Sequence, residues 1–371
     1  MTVYNGVRYL KTTMQSVLRQ SYKDFEFLII DDCSQDHSAS VIQSFADQRI
    51  KIHHNMANIG QTKSLNIGLK LARGKYIARI DSDDLVFPNW LLKQFSFIEK
   101  NPQFAVVSAP AIIIDGTGRI KRILKSLSSK EDILLKTLAS TPINHVGSLI
   151  RKSTVLEAGG YNDNFRVAAD FELWSRLLAK GLEITSTREI LTAIRVHELS
   201  ISKTQKENVA FLEVASIIEK NFHDLAKYSI TEQDAKLIAR LDYQIESLKS
   251  DDLAQVRALL DAAYRNMEGL FCLSRPFTQK RLREMIKVAH IKKIFDSIRN
   301  DNLGEARSIA RDYMKKEGFS AIIFFLFLFS YMGKFFVRRI PSAYKILGFG
   351  VAKIKLYCCQ RSQFLAASSS P

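Results

Sequence analysis

The sequence predicts an α/β protein: an open, mainly parallel sheet followed by a helical region. Three observations carry this. Short apolar runs stop abruptly at acidic residues, helical spacings separate those runs, and after about residue 203 the pattern turns helical, charged and nearly free of Pro and Gly.

Each element follows in order. Tyr9, Leu10, Met14, Val17 and Leu18 recur at helical spacing. Phe25 to Ile30 is an apolar run ending at Asp31-Asp32, as a strand buried on both faces would. Ser38 is placed to cap a helix carrying Val41, Ile42 and Phe45. Ile50 to His53 reads as a strand, Asn58-Ile59-Gly60 as a turn, and Gln61 to Ala72 as a helix broken by Gly74. Tyr76 to Ile80 is a strand that stops at Asp81, and Ala105 to Ile114 is a further β-rich run. Strand and helix alternating at this pitch imply right-handed crossovers. Residues 204–317 read as a helical domain, and 318–371 as an apolar and basic tail.

With 371 residues the chain is long enough for a large domain plus a smaller one. Its formal charge of +16 points to an anionic partner. From Gly318 onward there are seven Lys or Arg and no Asp or Glu, alongside the unbroken apolar run Ala321 to Phe329. That run is too short to span a bilayer, so it suits an interfacial helix on an anionic membrane or, alternatively, a core helix. Nucleic acid is disfavoured because no basic and aromatic motif of the known modules occurs. The four cysteines show no ligand spacing and fit a reducing compartment. The N-terminus shows no secretory pattern, so the expected location is cytoplasmic, peripheral at the inner face of the inner membrane.

In an open parallel sheet, ligands bind beyond the carboxyl ends of strands. Asp31-Asp32 and Asp81-Ser82-Asp83-Asp84 stand at such ends. Carboxylates crowded there repel one another, and any phosphate, unless a hard cation such as Mg²⁺ or Mn²⁺ neutralises them. Taken alone, the D-x-D spacing fits a solvated loop or a helix cap equally well.

The context is larger than one triplet. Val3-Tyr4-Asn5-Gly6, Phe25 through Asp36, Asn58-Ile59-Gly60, Asn66-Ile67-Gly68 and Ala72 through Asp84 occur in order. Ala169-Asp170-Phe171-Glu172-Leu173-Trp174 and Arg195-Val196-His197-Glu198-Leu199-Ser200 follow. Over residues 1 to about 203 the chain closely resembles the family 2 glycosyltransferases of bacterial cell-envelope and exopolysaccharide type. The resemblance implies a GT-A fold, a Rossmann-like mixed sheet, and transfer from a nucleotide-diphosphate sugar, often a UDP-sugar, to a glycan or lipid-linked acceptor.

It also implies roles. Tyr4 and Asp32 fall on nucleotide contacts, with Asp36 and Arg73 as lesser candidates. Asp81 and Asp83 fall on the pair that meets ribose and a metal-bound diphosphate, with Mn²⁺ or Mg²⁺ as cofactor. Asp170 falls on the general base of an inverting transfer, which must take the proton of the acceptor hydroxyl; a helix N-cap is its alternative reading. His197 falls in a closing element that can complete the metal shell. Glu172 and Trp174 are candidates for the acceptor side, although a Trp is as readily a core residue.

Two departures stand out. Ala169 replaces the family's usual Glu, and most of the usual apolar first strand is absent before Val3-Tyr4-Asn5. A shortened strand there would leave neighbouring backbone groups unpaired. A nucleotidyltransferase is the weaker alternative, since Asn5-Gly6-Val7-Arg8 is no Gly-rich phosphate loop. A non-catalytic carbohydrate- or membrane-binding protein with a degenerate site is the other.

Overall fold

The computed structural model describes residues 1–198, 200, 209–300, 302–318 and 320–330. Eleven strands lie among these residues: β1 Thr2–Val3, β2 Phe27–Asp31, β3 Ile50–His54, β4 Tyr76–Ala78, β5 Leu85–Val86, β6 Phe104–Ser108, β7 Ala111–Asp115, β8 Ile120–Leu124, β9 Leu149–Arg151, β10 Glu183–Ser186 and β11 Thr192–Val196. Seven helices are interleaved: α1 Val7–Leu18, α2 Ser38–Gln43, α3 Gln61–Leu71, α4 Trp90–Lys100, α5 Lys130–Thr137, α6 Lys152–Glu157 and α7 Ala169–Ala179. Then come α8 Val209–Asp224, α9 Glu232–Tyr243, α10 Ser250–Phe271, α11 Arg275–Arg299, α12 Leu303–Glu317 and α13 Ala321–Phe329.

The first half is parallel as expected: β1, β2 and β3 lie side by side, with Thr2 opposite Ile30 and Phe27 opposite Ile50. The second half is mixed. β9 runs antiparallel between β4 and β6, β10 pairs β6 in parallel, and β11 pairs β7 in parallel while β5 and β8 are antiparallel. The run Ala105 to Ile114 is two strands, because Ala109 and Pro110 break it; Pro110 lacks the N–H a ladder needs.

Local chemistry explains the elements that place the site. In α1, Leu10, Met14 and Val17 recur on one face, are buried, and pack with Ile29 of β2 and Trp90 of α4. In β2, Ile29 and Ile30 are both buried, which is why its run is continuous rather than alternating. Ser38 does not cap α2. It is the helix's first residue, and its hydroxyl instead accepts the Gly6 N–H at 2.9 Å.

β1 is only two residues long. Beside it, a cavity of about 860 Å³ opens between β2 and β4, lined by Met1, Phe27, Ala78, Ile80, Trp90 and Tyr161 among others. The Met1 ammonium donates to the Leu28 carbonyl at 3.0 Å, and burial pushes its pKa down to about 5.

The chain forms two compact units, Met1–Leu282 and Arg283 onward. The first therefore runs past the composition change at 203 and takes in α8, α9 and α10. In the second, Ile323 and Leu326 of α13 are buried against Ile298, Ile309 and Tyr313, while Leu328 is exposed. Part of this apolar helix thus packs into a core. No described helix is long and apolar enough to cross a membrane. Lys334, Arg338 and Arg339 lie outside the described residues.

Candidate active site

β4 delivers the chain to Asp81, and the acidic loop that follows is held from several sides. The Thr13 hydroxyl of α1 hydrogen-bonds the carbonyls of Ser82 and Asp84 at 3.0 and 2.7 Å. Gly6 lies so close to Ser82 that a Cβ there would sit 3.2 Å from its hydroxyl. Arg195 of β11 donates its backbone N–H to Asp84 at 2.6 Å and its Nε to the Asp83 carbonyl at 2.9 Å, with its guanidinium over the Tyr9 ring.

One ligand oxygen each from Asp81, Asp83 and Asp84 lie within 4.8 Å of one another. Asp81 is met by Arg79 at 2.5 Å and by the Gln61 amide at 2.9 Å. Asp83 hydrogen-bonds Nε2 of His197 at 2.9 Å. Asp84 points inward and is almost fully buried. Burial and then the Asp81 charge push the Asp83 carboxyl up. Burial and then the Asp83 and Asp81 charges push Asp84 well up. Carboxylates this close repel one another when ionised, and the Arg79 guanidinium faces them. Asp81 and Asp83, both partly exposed, present oxygen donors suited to a hard divalent cation, with the His197 imidazole beside them.

The nucleotide-side candidates divide. Tyr4 is half exposed beyond β1. The Asp32 carboxylate accepts from Asn55 Nδ2 at 2.8 Å and from the N–H groups of Ile59 and Gly60 at 3.0 and 2.9 Å, so it organises the turn before α3. Asp36 accepts the N–H groups of Val7 and Ser38 at 3.1 and 2.9 Å. Burial opposes its ionisation, but hydrogen bonds from Ser38 and Val7 outweigh this and hold its carboxyl below the usual range. Arg73 does not join the cluster. It precedes β4, at the opposite end of that strand from Asp81, and its exposed guanidinium pairs with Glu26 at 3.1 Å.

The other half of the site is the start of α7. Asp170 lies in its first turn and its Oδ1 accepts the Phe171 N–H at 2.8 Å. Burial raises its pKa to about 6, Phe171 and Arg79 oppose the rise, and the Asp81 charge adds to it. Asp170 is thus close enough to the acidic loop for Arg79 and Asp81 to act on its charge.

Two acceptor-side candidates need correction. Glu172 is buried and binds Arg176 through both oxygens at 2.9 and 2.8 Å; Arg176 in turn donates to the Ala158 and Gly160 carbonyls. It braces the Gly159-Gly160 loop and is buried there, away from any sugar at the surface. Trp174 is fully buried with its ring edge-on to His145 at 5.8 Å, so no sugar can stack on it.

α3 ties the two halves together. Gln61 holds Asp81, while its neighbour Thr62 donates to the Phe165 carbonyl at 2.6 Å. One turn on, Asn66 donates to the Tyr161 carbonyl and Asp163 at 2.8 and 2.7 Å and accepts the Tyr161 N–H at 2.8 Å. The sequence alone assigns no role to Thr13, Gln61, Arg79 or Arg195, although Arg79 stands two residues before the acidic triplet and Arg195 opens the element that holds His197.

Known proteins resemble this chain in sequence and in fold. Residues 1–159 match the family model described as glycosyl transferase family 2. EpsE of Bacillus subtilis (strain 168), named as a glycosyltransferase, is 35% identical over 201 residues, covering 53% of this chain and 71% of its own. TuaG of the same organism, named for teichuronic acid biosynthesis, is 31% identical over 54% of this chain and 79% of its own. Among solved structures, S. aureus TarS 1–349 in complex with UDP-GlcNAc aligns with a TM-score of 0.52 over 81% of this chain and 90% of that one. At 16% identity that likeness is one of fold, the GT-A glycosyltransferase fold. Taken with the acidic loop, the site halves joined by α3 and the order of the sheet, these matches place the chain in glycosyl transferase family 2.

Proposed function

We propose that this glycosyltransferase carries out an inverting transfer from a UDP-sugar to a hydroxyl of a cell-envelope glycan or lipid-linked acceptor. The observation that carries the reading is the pairing of two unlike acidic sites: the crowded Asp81, Asp83 and Asp84 carboxylates, and Asp170 with its pKa near 6. One suits a diphosphate with its cation; the other suits a base that is ionised at neutral pH yet still basic.

In this reading Asp81 and Asp83, with His197, hold Mn²⁺ or Mg²⁺ against the diphosphate. Such a cation, when bound, offsets the charge that develops on the departing nucleoside diphosphate. Tyr4 and Asp32 lie on the nucleotide side, the latter through the Ile59-Gly60 turn it organises. Asp170 takes the proton of the acceptor hydroxyl as its oxygen bonds to the anomeric carbon. The bond from that carbon to the phosphate oxygen breaks, and the nucleoside diphosphate leaves with the electron pair. The displacement is in line, so the anomeric configuration inverts. UDP is preferred as the nucleotide because the family uses it often, and TarS was solved with UDP-GlcNAc.

The test is a screen of UDP- and GDP-sugars with Mn²⁺ or Mg²⁺, reading release of nucleoside diphosphate. Asp170→Asn is expected to lose 10²- to 10⁴-fold in turnover while still binding donor. No metal-dependent binding or turnover with any donor overturns the reading; loss of donor binding in Asp170→Asn moves that residue to the nucleotide site.

The basic segment that follows α13, with Lys334, Arg338 and Arg339, is assigned to the cytoplasmic face of an anionic membrane, where the acceptor would be anchored. Flotation with vesicles of phosphatidylglycerol and phosphatidylethanolamine tests this. The full chain is expected to float, and a chain ending at Ser330, which keeps α13, to stay behind; equal partition of the two overturns the assignment.

A further inference from the structure

The loop that enters α7 carries the base but has no cap of its own. The N-cap position is Ala168, whose side chain has no oxygen with which to cap the helix. Three successive N–H groups, those of Arg166, Val167 and Ala168, converge on a single side chain far along the sequence. The Glu213 carboxylate of α8 accepts them at 2.7, 2.9 and 2.8 Å, using both of its oxygens. Consecutive main-chain N–H groups turned inward form an anion-binding nest, and a carboxylate is a charge-assisted partner for it. The opposite side of the same loop is held by Thr62 and Asn66 of α3. Asp170 begins two residues beyond the nest.

α8 is itself firmly seated. Phe211, Val214, Ala215, Ile217, Ile218 and Phe222 are buried, and Asn221 donates to the Thr137 carbonyl at 2.7 Å. Tyr243 of α9 feels both the Asp170 and the Glu213 charge. α8 thus packs directly against α7, the helix whose first turn holds Asp170.

We propose that Glu213 is a positioning residue for Asp170, so that α8 belongs to the catalytic apparatus rather than to an appended domain. This rests on the assignment of Asp170 as the base. Glu213 touches no reacting atom. It fixes the loop that sets where the first turn of α7 lies, and a displacement of the base of about 1 Å costs on the order of 10²-fold in rate.

The test compares Glu213→Gln and Glu213→Asp with the wild type, with hydrolysis of UDP-GlcNAc, UDP-glucose, UDP-galactose and GDP-mannose as the assay, water serving as acceptor. Glu213→Gln is expected to lower turnover ten- to hundredfold, with donor KM and Mn²⁺-dependent UDP binding unchanged. Glu213→Asp, which keeps the charge, is expected to recover part of the loss. In an Asp170→Asn background Glu213→Gln should cost nothing further, since it acts through Asp170. Amide hydrogen exchange should quicken in 166–170 and stay unchanged in 80–84. Wild-type turnover in Glu213→Gln, a loss that adds in full to that of Asp170→Asn, or unchanged exchange at 166–168 overturns the proposal. Full activity of Asp170→Asn would instead overturn the assignment of the base, and the exchange measurement would still report on the clamp.

Discussion

The Asp83 carboxylate and the His197 imidazole meet at 2.9 Å across 114 residues of sequence. The contact closes the site, because it ties the loop after β4 to the segment after β11. A ring nitrogen held by a carboxylate is oriented, and so is the carboxylate. His197 also packs 5.0 Å from the Tyr9 ring, and Gly116 leaves room for both.

Replacing His197 with Ala should therefore weaken Mn²⁺-dependent UDP binding by about ten- to a hundredfold. Calorimetric titration of UDP with and without Mn²⁺ checks this. Binding without Mn²⁺ is expected to be weak in both proteins, so the difference between them should vanish when the metal is chelated.

Asp170 sets the pH dependence. Its pKa stands near 6, so the ionised base is lost as pH falls through that value, and turnover should drop below about pH 6. The stability consequence has the opposite sense. A carboxyl with a folded pKa above its unfolded value near 3.8 contributes stability that is full below 3.8 and lost as pH rises through about 6. At pH 7.5 the ionised Asp170 is a burden. Asp170→Asn should unfold at higher urea, by about 1–2 kcal/mol after discounting for its partial exposure, while losing turnover. Equal midpoints at pH 5 and 7.5 for both proteins would contradict this.

Much of the first half was legible because burial on both faces leaves a plain signature. Ile29 and Ile30 read as apolar without alternation, and the run ends where Asp31 and Asp32 reach the sheet's carboxyl edge. Ordered motifs singled out Asp32, Asp81, Asp83, Asp170 and His197 as candidates, and the fold brings Asp81, Asp83 and His197 together. The burial of Glu172 and Trp174 was not legible, since spacing on α7 does not say which side chains turn inward. Trp174 shares a helix face with Asp170, yet its ring continues into the core. Gln61, Thr62 and Glu213 escaped notice for another reason. They act on main-chain groups or distant carboxylates, and such partners leave no pattern in a single sequence.

Gly160 shows how tightly the base half is joined to α3. Its φ is +73°, and a Cβ there would stand 2.7 Å from Asn66 Oδ1, the atom that accepts the Tyr161 N–H. Gly160→Ala must strain the backbone and displace Asn66 together. A loss of about 2–3 kcal/mol is expected in urea unfolding. Asn66→Ala in the Gly160→Ala background should cost less than Asn66→Ala alone, because part of that contact is already gone.

Arg79 is the last test, and it separates stability from chemistry. Its guanidinium is buried and faces Asp81 at 2.5 Å, and its charge also acts on Asp84, Tyr161 and Asp170. Asp81 is partly exposed, so removing its partner costs less than breaking a fully buried pair, about 1–3 kcal/mol. Arg79→Met keeps most of the side-chain volume, so its loss should come from charge rather than from a cavity. Without that cation Asp81 and Asp83 repel more strongly, and a divalent ion should restore what the guanidinium supplied. The expected result is a destabilised protein whose melting temperature rises more with added Mn²⁺ than the wild type's does. Thermal scans across a Mn²⁺ series measure this directly, and a Mn²⁺ response no larger than that of the wild type would show that Arg79 does not stand in for the cation's charge.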